Sequence, residues 1–256
     1  MKSAGFGYDV VIPAGGTIDT GYARAIGSPF RALAPLGPER CPVLQCVIDA
    51  LRETGFARRI LVVAPPAVQS VITGVDAWLP AGGSGAQNIL VGLAAVDPNR
   101  LALVCPSDLP LLTASSVTKF LELCRPDAEI AVGLVRAEAY HALFPGAPPS
   151  QFTALADTGP ITLGSIFILH PGLITRQAIL LDRLFEGRKS QWQTAKLLGP
   201  RLLWGWATKS LSVPMITTRA EELTGGKVQI VSEVSPLLAY DIDTLDDYTY
   251  ASLYLK

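Results

Sequence analysis

Short apolar runs rich in β-branched residues alternate, along the first half of the chain, with longer segments whose apolar residues recur every three to four positions. Val10–Pro13 is such a run and predicts a buried strand. Pro42–Thr54 places Val43, Leu44, Val47, Ile48 and Leu51 on one helical face, and Gly55 supplies a stop. Arg59–Ala64 predicts the next strand, with Pro65-Pro66 opening the segment after it. Gln87–Val96 returns to the helical period through Ile89, Leu90, Leu93 and Val96. Leu101–Cys105 reads as strand, Ser115–Cys124 as helix and Glu129–Val135 as strand. This alternation predicts an α/β fold, a three-layer αβα sandwich around a mostly parallel central sheet.

The second half is less regular. Tyr140–Gly159 is rich in Pro, Gly and Ala and reads as a loop or lid. Ile161–Leu169 predicts a strand, Gly172–Phe185 and Gln191–Leu198 helices, Val228–Val231 a short strand and Leu245–Leu255 a last helix. No repeat, low-complexity tract or linker divides the chain. One domain over residues 1–256 is expected, with 140–226 as lid or acceptor-side insertions.

Composition narrows the function classes. The 256 residues suffice for one large core, or a core with a small subdomain. Mean hydropathy of +0.35 is high, as a parallel sheet buried on both faces would make it. A net charge of -1 without a long basic run argues against nucleic acid as the main partner. With only His141 and His170, a multi-histidine zinc site is excluded. The four cysteines, Cys41, Cys46, Cys105 and Cys124, show no C-x-x-C spacing and read as buried, reduced thiols of a cytoplasmic protein. Met1–Tyr8 lacks the apolar stretch of a signal peptide. The longest apolar segment, Ile161–Leu181, is interrupted by Gly164, His170, Pro171, Gly172 and Arg176, so no membrane span is expected.

Chemistry concentrates at loops. Asp9–Gly16 (D-V-V-I-P-A-G-G) runs a strand into two adjacent glycines, a way to present backbone N–H groups to phosphate as well as an ordinary turn. Ala81–Asn88 (A-G-G-S-G-A-Q-N) precedes a helix and suits either a nucleotide or a flexible loop. Cys105–Pro110 (C-P-S-D-L-P) follows a buried strand. In an open parallel sheet ligands sit beyond the carboxyl ends of the strands, so Asp108 is a candidate ligand for a hard cation, or else a helix cap. Thr113 and Ser115 are better placed to cap. Near the C-terminus, Asp241 and Asp243 project to one side of an extended segment and are free to share a cation, while Thr244 and Asp247 form a capping-box pattern.

Between Met1 and Thr118 the only lysine is Lys2, so any phosphate clamp there must come from Arg24, Arg31, Arg40, Arg52, Arg58, Arg59 or Arg100. Arg188-Lys189 adds a basic pair, read alternatively as a partner of a helix C-terminus. Trp192, Trp204 and Trp206 read as core or interface aromatics.

Together these segments resemble the MobA-like nucleoside-triphosphate transferases of the GT-A fold. The matching pieces are A-G-G at Ala14–Gly16, R-A-L-A-P-L-G at Arg31–Gly37, P-V-L-Q-C-V-I-D-A-L at Pro42–Leu51, G-G-S-G-A-Q-N-I-L-V-G-L at Gly82–Leu93, S-D-L-P-L-L at Ser107–Leu112 and D-I-D-T-L-D-D at Asp241–Asp247. The resemblance implies Mg²⁺ held by Asp108 with Asp241 or Asp243. It implies nucleotide contacts from Ala14, Gly15, Gly16, Gly82, Gly83, Ser84, Asn88 and Ser107, and charge compensation by Arg31, Arg24 and Lys189. The implied partners are an NTP and a small phosphorylated acceptor, and a homodimer is compatible with the sequence.

Two departures stand out. The family's A-G-G-x-x-x-R-M-G becomes A-G-G-T-I-D-T-G-Y-A-R, which delays Arg24, and Arg31 replaces the family's lysine. They keep two other readings open: a nucleotide sensor without turnover, and a glycosyltransferase of the same fold using a nucleotide sugar.

Overall fold

A computed structural model describes residues 7–176 and 199–255. In chain order the strands are β1 (Tyr8–Pro13), β2 (Pro35–Leu36), β3 (Cys41–Pro42), β4 (Ala57–Val63), β5 (Ala77–Leu79), β6 (Ala102–Val104), β7 (Ile130–Arg136), β8 (Thr153–Leu155), β9 (Gly159–Leu169) and β10 (Val228–Val231). The helices are α1 (Thr20–Ile26), α2 (Val43–Glu53), α3 (Pro66–Gln69), α4 (Gly85–Ala94), α5 (Ala114–Leu123), α6 (Ala137–Leu143), α7 (Pro171–Arg176), α8 (Pro200–Ala207), α9 (Val213–Thr224) and α10 (Leu245–Tyr254).

The main sheet runs β10-β7-β9-β6-β1-β4-β5, with β8 paired to β9. β1 lies parallel to both β4 and β6, β4 to β5, and β7 to β10, whereas β9 is antiparallel to β6, β7 and β8. The sheet is therefore mostly parallel, as the alternation of elements predicts. The antiparallel β9 sits in its middle.

Alternation along β1 divides the core. Val10 and Ile12 face one side, packing in a cluster with Val47 and Ile48 of α2 and Val117 and Phe120 of α5. Val11 faces the other, with Ile89 and Leu93 of α4. Gly92 makes that second contact intimate: a Cβ there would lie 2.1 Å from Val11 Cγ1, so only glycine lets α4 approach β1 this closely.

The strands and helices of the first half fall where the pattern puts them, within two residues. Helix α4 begins earlier than Gln87 because Ser84 caps it: the Ser84 hydroxyl accepts the Gln87 amide, and Gln87 Oε1 accepts the Ser84 amide. Of the two cap candidates Thr113 and Ser115 it is Thr113 that caps α5, in a box with Ser116, and Thr244 with Asp247 caps α10 in the predicted box arrangement.

Differences concentrate in short elements. The stretch after Gly16, for which the sequence pattern predicts no element, contains α1, started by Asp19 and ended by Gly27 in a left-handed conformation. Tyr140–Gly159 is not all loop: α6 runs to Leu143 and β8 adds a strand. Tyr140 and Phe144 are buried in an aromatic cluster with Tyr240, which holds this segment to the body. Trp204 and Trp206, expected in core or interface, are 73% and 51% exposed on α8. The predicted helix over 191–198, the C-terminal part of the one over 172–185, and Trp192 and Lys189 lie outside the described residues.

All four cysteines are free, and Cys105 alone is fully buried. Among the described residues no helix is long and apolar enough to cross a membrane.

Candidate active site

The order of strands creates a crevice. From β1 the chain moves to β4 on one side, while β6 lies on the other, so the loops leaving β1 and β6 diverge at their carboxyl ends. A cleft of about 240 Å³ lies there, lined by Gly15, Gly16 and Thr17 after β1, Gly82–Asn88 residues at the start of α4, Ser107 and Asp108 after β6, and Arg31.

The glycine loop after β1 is held at its base. The Ala14 amide donates to Val63 O at 2.8 Å, which commits it to the sheet. Beyond it, the amides of Gly15 and Gly16 donate to no acceptor among the described residues. Gly15 has no room for a side chain: its Cβ would stand 2.9 Å from Asn88 Nδ2 and 2.9 Å from Ala81 Cβ. Gly16 opens to free space.

The second loop is tied differently. Asn88 is buried, one helical turn before Gly92 on the face of α4 turned to β1. Its Oδ1 accepts the Gly82 amide at 2.6 Å, and Gln87 Oε1 accepts the Gly83 amide at 2.9 Å. These amides shape the loop. The cleft is thus offered the Gly15–Gly16 amides and the helix N-terminus behind Ser84.

The acidic side of the cleft is assembled from three distant segments. Asp108 follows β6. Its carbonyl accepts the Ile242 amide at 3.2 Å, and Tyr22 of α1 donates its hydroxyl to the Ile242 carbonyl at 3.4 Å. Ile242, fully buried, is thereby pinned between Asp241 and Asp243. Arg31 reaches into the group. Its Nη1 donates to Asp108 Oδ2 at 2.6 Å and also to Asp243 Oδ1. Two carboxylates thus share one guanidinium nitrogen, with Asp241 close by.

The electrostatics follow from that imbalance. Burial raises the Asp108 carboxyl above its usual range and Asp243 adds to the effect, while Arg31 opposes it. Asp241, burdened by burial and then by Asp108 and Asp243, is pushed up to about 7. Burial would lower the Arg31 guanidinium, but the two carboxylates outweigh it and hold the charge on.

Most sequence candidates converge here: Gly15, Gly16, Gly82, Gly83, Ser84, Asn88, Ser107, Asp108 and Arg31 line one cleft. Asp243 joins through Arg31, and Asp241 through its repulsion with Asp108. Arg24 does not line it; it is exposed in the last turn of α1, because the seven-residue helix carries it outward. Ala14 contributes no free amide. Sequence reasoning passed over Tyr22, Thr17 and Gln87. For Tyr22 the signal existed, in the Asp19 and Gly27 that bracket its helix.

The class of this mostly parallel sheet, with a glycine loop at its switch point, is that of the nucleotidyltransferases, as the family match shows. The chain belongs to the family of the MobA-like NTP transferase domain, whose profile matches residues 10–167. No curated protein matches by sequence.

Among solved structures, one described as a hypothetical transferase from Thermus thermophilus is 25% identical, with a TM-score of 0.79 over 94% of this chain and 99% of that one. The 4-diphosphocytidyl-2C-methyl-D-erythritol synthase of Anaerococcus prevotii shares the fold at 13% identity and a TM-score of 0.58, covering 97% of this chain and 98% of that one. The 2-C-methyl-D-erythritol 4-phosphate cytidylyltransferase of Thermus thermophilus does so at 18% identity and 0.53, over 97% and 98%.

Proposed function

We propose that this protein transfers a nucleoside monophosphate from an NTP to a small phosphorylated acceptor, as a single cytoplasmic domain that uses Mg²⁺. The observation that carries the reading is the cleft itself, lined by Gly15 and Gly16, whose amides have no acceptor among the described residues, and by Asp108 and Arg31, which also holds Asp243. In the reaction an acceptor phosphate oxygen bonds to the α-phosphorus while the bond from that phosphorus to the bridging oxygen of pyrophosphate breaks.

The donor chemistry suits a hard divalent cation, since Asp108, Asp241 and Asp243 offer only oxygens, but among the described residues no three such side chains are grouped as a ready metal site. Asp108 with Asp241 or Asp243 would hold the ion, which when bound supplies Lewis-acid neutralisation of triphosphate charge. The Gly15 and Gly16 amides receive phosphate oxygens, Asn88 keeps the facing loop in register, and Arg31 offers its fork to the developing negative charge. Positioning and charge carry such a transfer without a protein nucleophile. The acceptor side is assigned to the 140–226 region.

The test is pyrophosphate release with each NTP, Mg²⁺ and a panel of phosphorylated alcohols and sugars. Release with one pairing supports the reading. No release with any, together with no NTP binding by calorimetry, rejects it.

A further inference from the structure

Two of the protein's arginine–carboxylate contacts, those of Arg58 and Arg31, are built in opposite ways. At the start of β1, Arg58 grips the buried Asp9 as a fork: Nε donates to Oδ1 at 2.9 Å and Nη2 to Oδ2 at 2.7 Å, so both oxygens meet separate donors. Such a bidentate pair is a structural tie. Arg31 is held by a single nitrogen, Nη1, which donates to Asp108 and Asp243 together. Its Nε is buried and has no acceptor. A guanidinium whose sole purpose was to fasten these segments would satisfy its donors. The segments have their own fastening besides, the Asp108 carbonyl to the Ile242 amide.

We infer that Arg31 is a resident counter-ion of the Asp108–Asp243 gap, which keeps free divalent cations out and leaves the gap for the triphosphate when a nucleotide enters. Cation and nucleotide are then admitted together, the nucleotide being what releases the carboxylates. The inference rests on the nucleotidyltransferase reading. A point between two carboxylate oxygens is where a bridging cation would sit, and Nη1 occupies it. A second cation beside it meets repulsion that only departure of the guanidinium removes.

The side chains are placed for the exchange. Arg31 is 21% and Asp108 16% exposed, so the pair is strong enough to persist, while Asp243 at 53% is weakly held and readily surrendered. Arg31 also lines the cleft beside Gly15, Gly16 and Ser84. A triphosphate there offers the planar fork two oxygens at once, which the present single-nitrogen contact does not.

The experiment titrates the full chain with Mn²⁺ as a probe for Mg²⁺, without nucleotide, by paramagnetic relaxation of water. Wild type is expected to bind weakly, and Arg31→Met about tenfold or more tightly, since a repelling charge has gone. NTP affinity measured in EDTA should move the other way, falling about tenfold in Arg31→Met as the phosphate partner is lost. Arg31→Lys should fall between on both scales, and carries the test if circular dichroism shows Arg31→Met unfolded.

Unchanged or weaker metal-only binding in Arg31→Met, or in Arg31→Lys if it alone folds, overturns the inference. Metal-only binding requires no turnover. Pyrophosphate release by wild type with unaltered metal binding in the variant would therefore sink the inference and spare the function. Tighter metal binding without pyrophosphate release from wild type would do the reverse.

Discussion

Asn88 Oδ1 accepts the Gly82 amide at 2.6 Å, and the same side chain closes over Gly15 on the far side of the cleft. One buried amide therefore sets the separation of the two glycine loops. Asn88→Ala removes the acceptor and leaves space above Gly15. We expect a stability loss of about 1–3 kcal/mol, the usual cost of leaving a hydrogen-bonding partner unmet. NTP affinity should fall by about tenfold or more as the loops lose register. Thermal unfolding and calorimetry separate the two effects; NTP binding equal to wild type would remove Asn88 from the site.

Gly15 and Gly16 are adjacent yet should respond differently. Gly15→Ala drives a Cβ to 2.9 Å from Asn88 Nδ2 and Ala81 Cβ, so the loop must shift and both stability and nucleotide binding should drop. Gly16→Ala meets nothing within 4 Å and its backbone is not left-handed, so the fold should change by under about 0.5 kcal/mol. Its methyl group projects at the cleft, and NTP affinity alone should fall. Equal melting temperatures for the two variants would contradict the close approach at Gly15.

Gly92→Ala reverses a familiar expectation. In a free helix the change gains about 1 kcal/mol. Here the new Cβ would come within 2.1 Å of Val11 Cγ1, in a strand that cannot yield because it pairs on both sides. Overpacking of this kind costs about 1–3 kcal/mol, so net destabilisation is expected. A melting temperature at or above wild type would show that α4 can lift from β1.

How much of this was legible depends on length and locality. Helix α2 announces itself because six buried residues repeat the period over eleven positions. Helix α1 buries only Tyr22 and Ile26 in seven residues, too few to show a period, and its caps were the surviving signal. The direction of β9 is invisible in an apolar run, since pairing sense depends on where the chain returns. At the site, the glycine loops and the individual aspartates are readable because backbone chemistry is local. The Arg31 pairing joins residues 77 and 212 positions apart, and no spacing rule reaches that far. Such contacts belong to the topology, which brings Thr17 and Phe30 together as a bridge and so returns the α1 excursion one residue before Arg31.

The last prediction concerns pH and a carboxylate away from the cleft. Asp76 precedes β5 and accepts the Ile60 amide at 2.6 Å while pairing with Arg52. Burial pushes its carboxyl up, but the Ile60 amide and Arg52 outweigh that and hold it below the usual 3.8. A carboxylate lowered in the folded state contributes stability that is present above the unfolded value and is lost as pH falls through the folded one. Both partners are more than a third exposed, so solvent screening limits the contribution to about 1 kcal/mol. Asp76→Asn keeps an acceptor for Ile60 but loses the charge. Its melting temperature should lie below wild type at neutral pH and converge with it only once pH has fallen past the lowered folded value, itself under 3.8, where the wild-type carboxyl is protonated too. A gap that stays constant from neutral to acid pH would show that the amide hydrogen bond, and not the charge, is what Asp76 contributes.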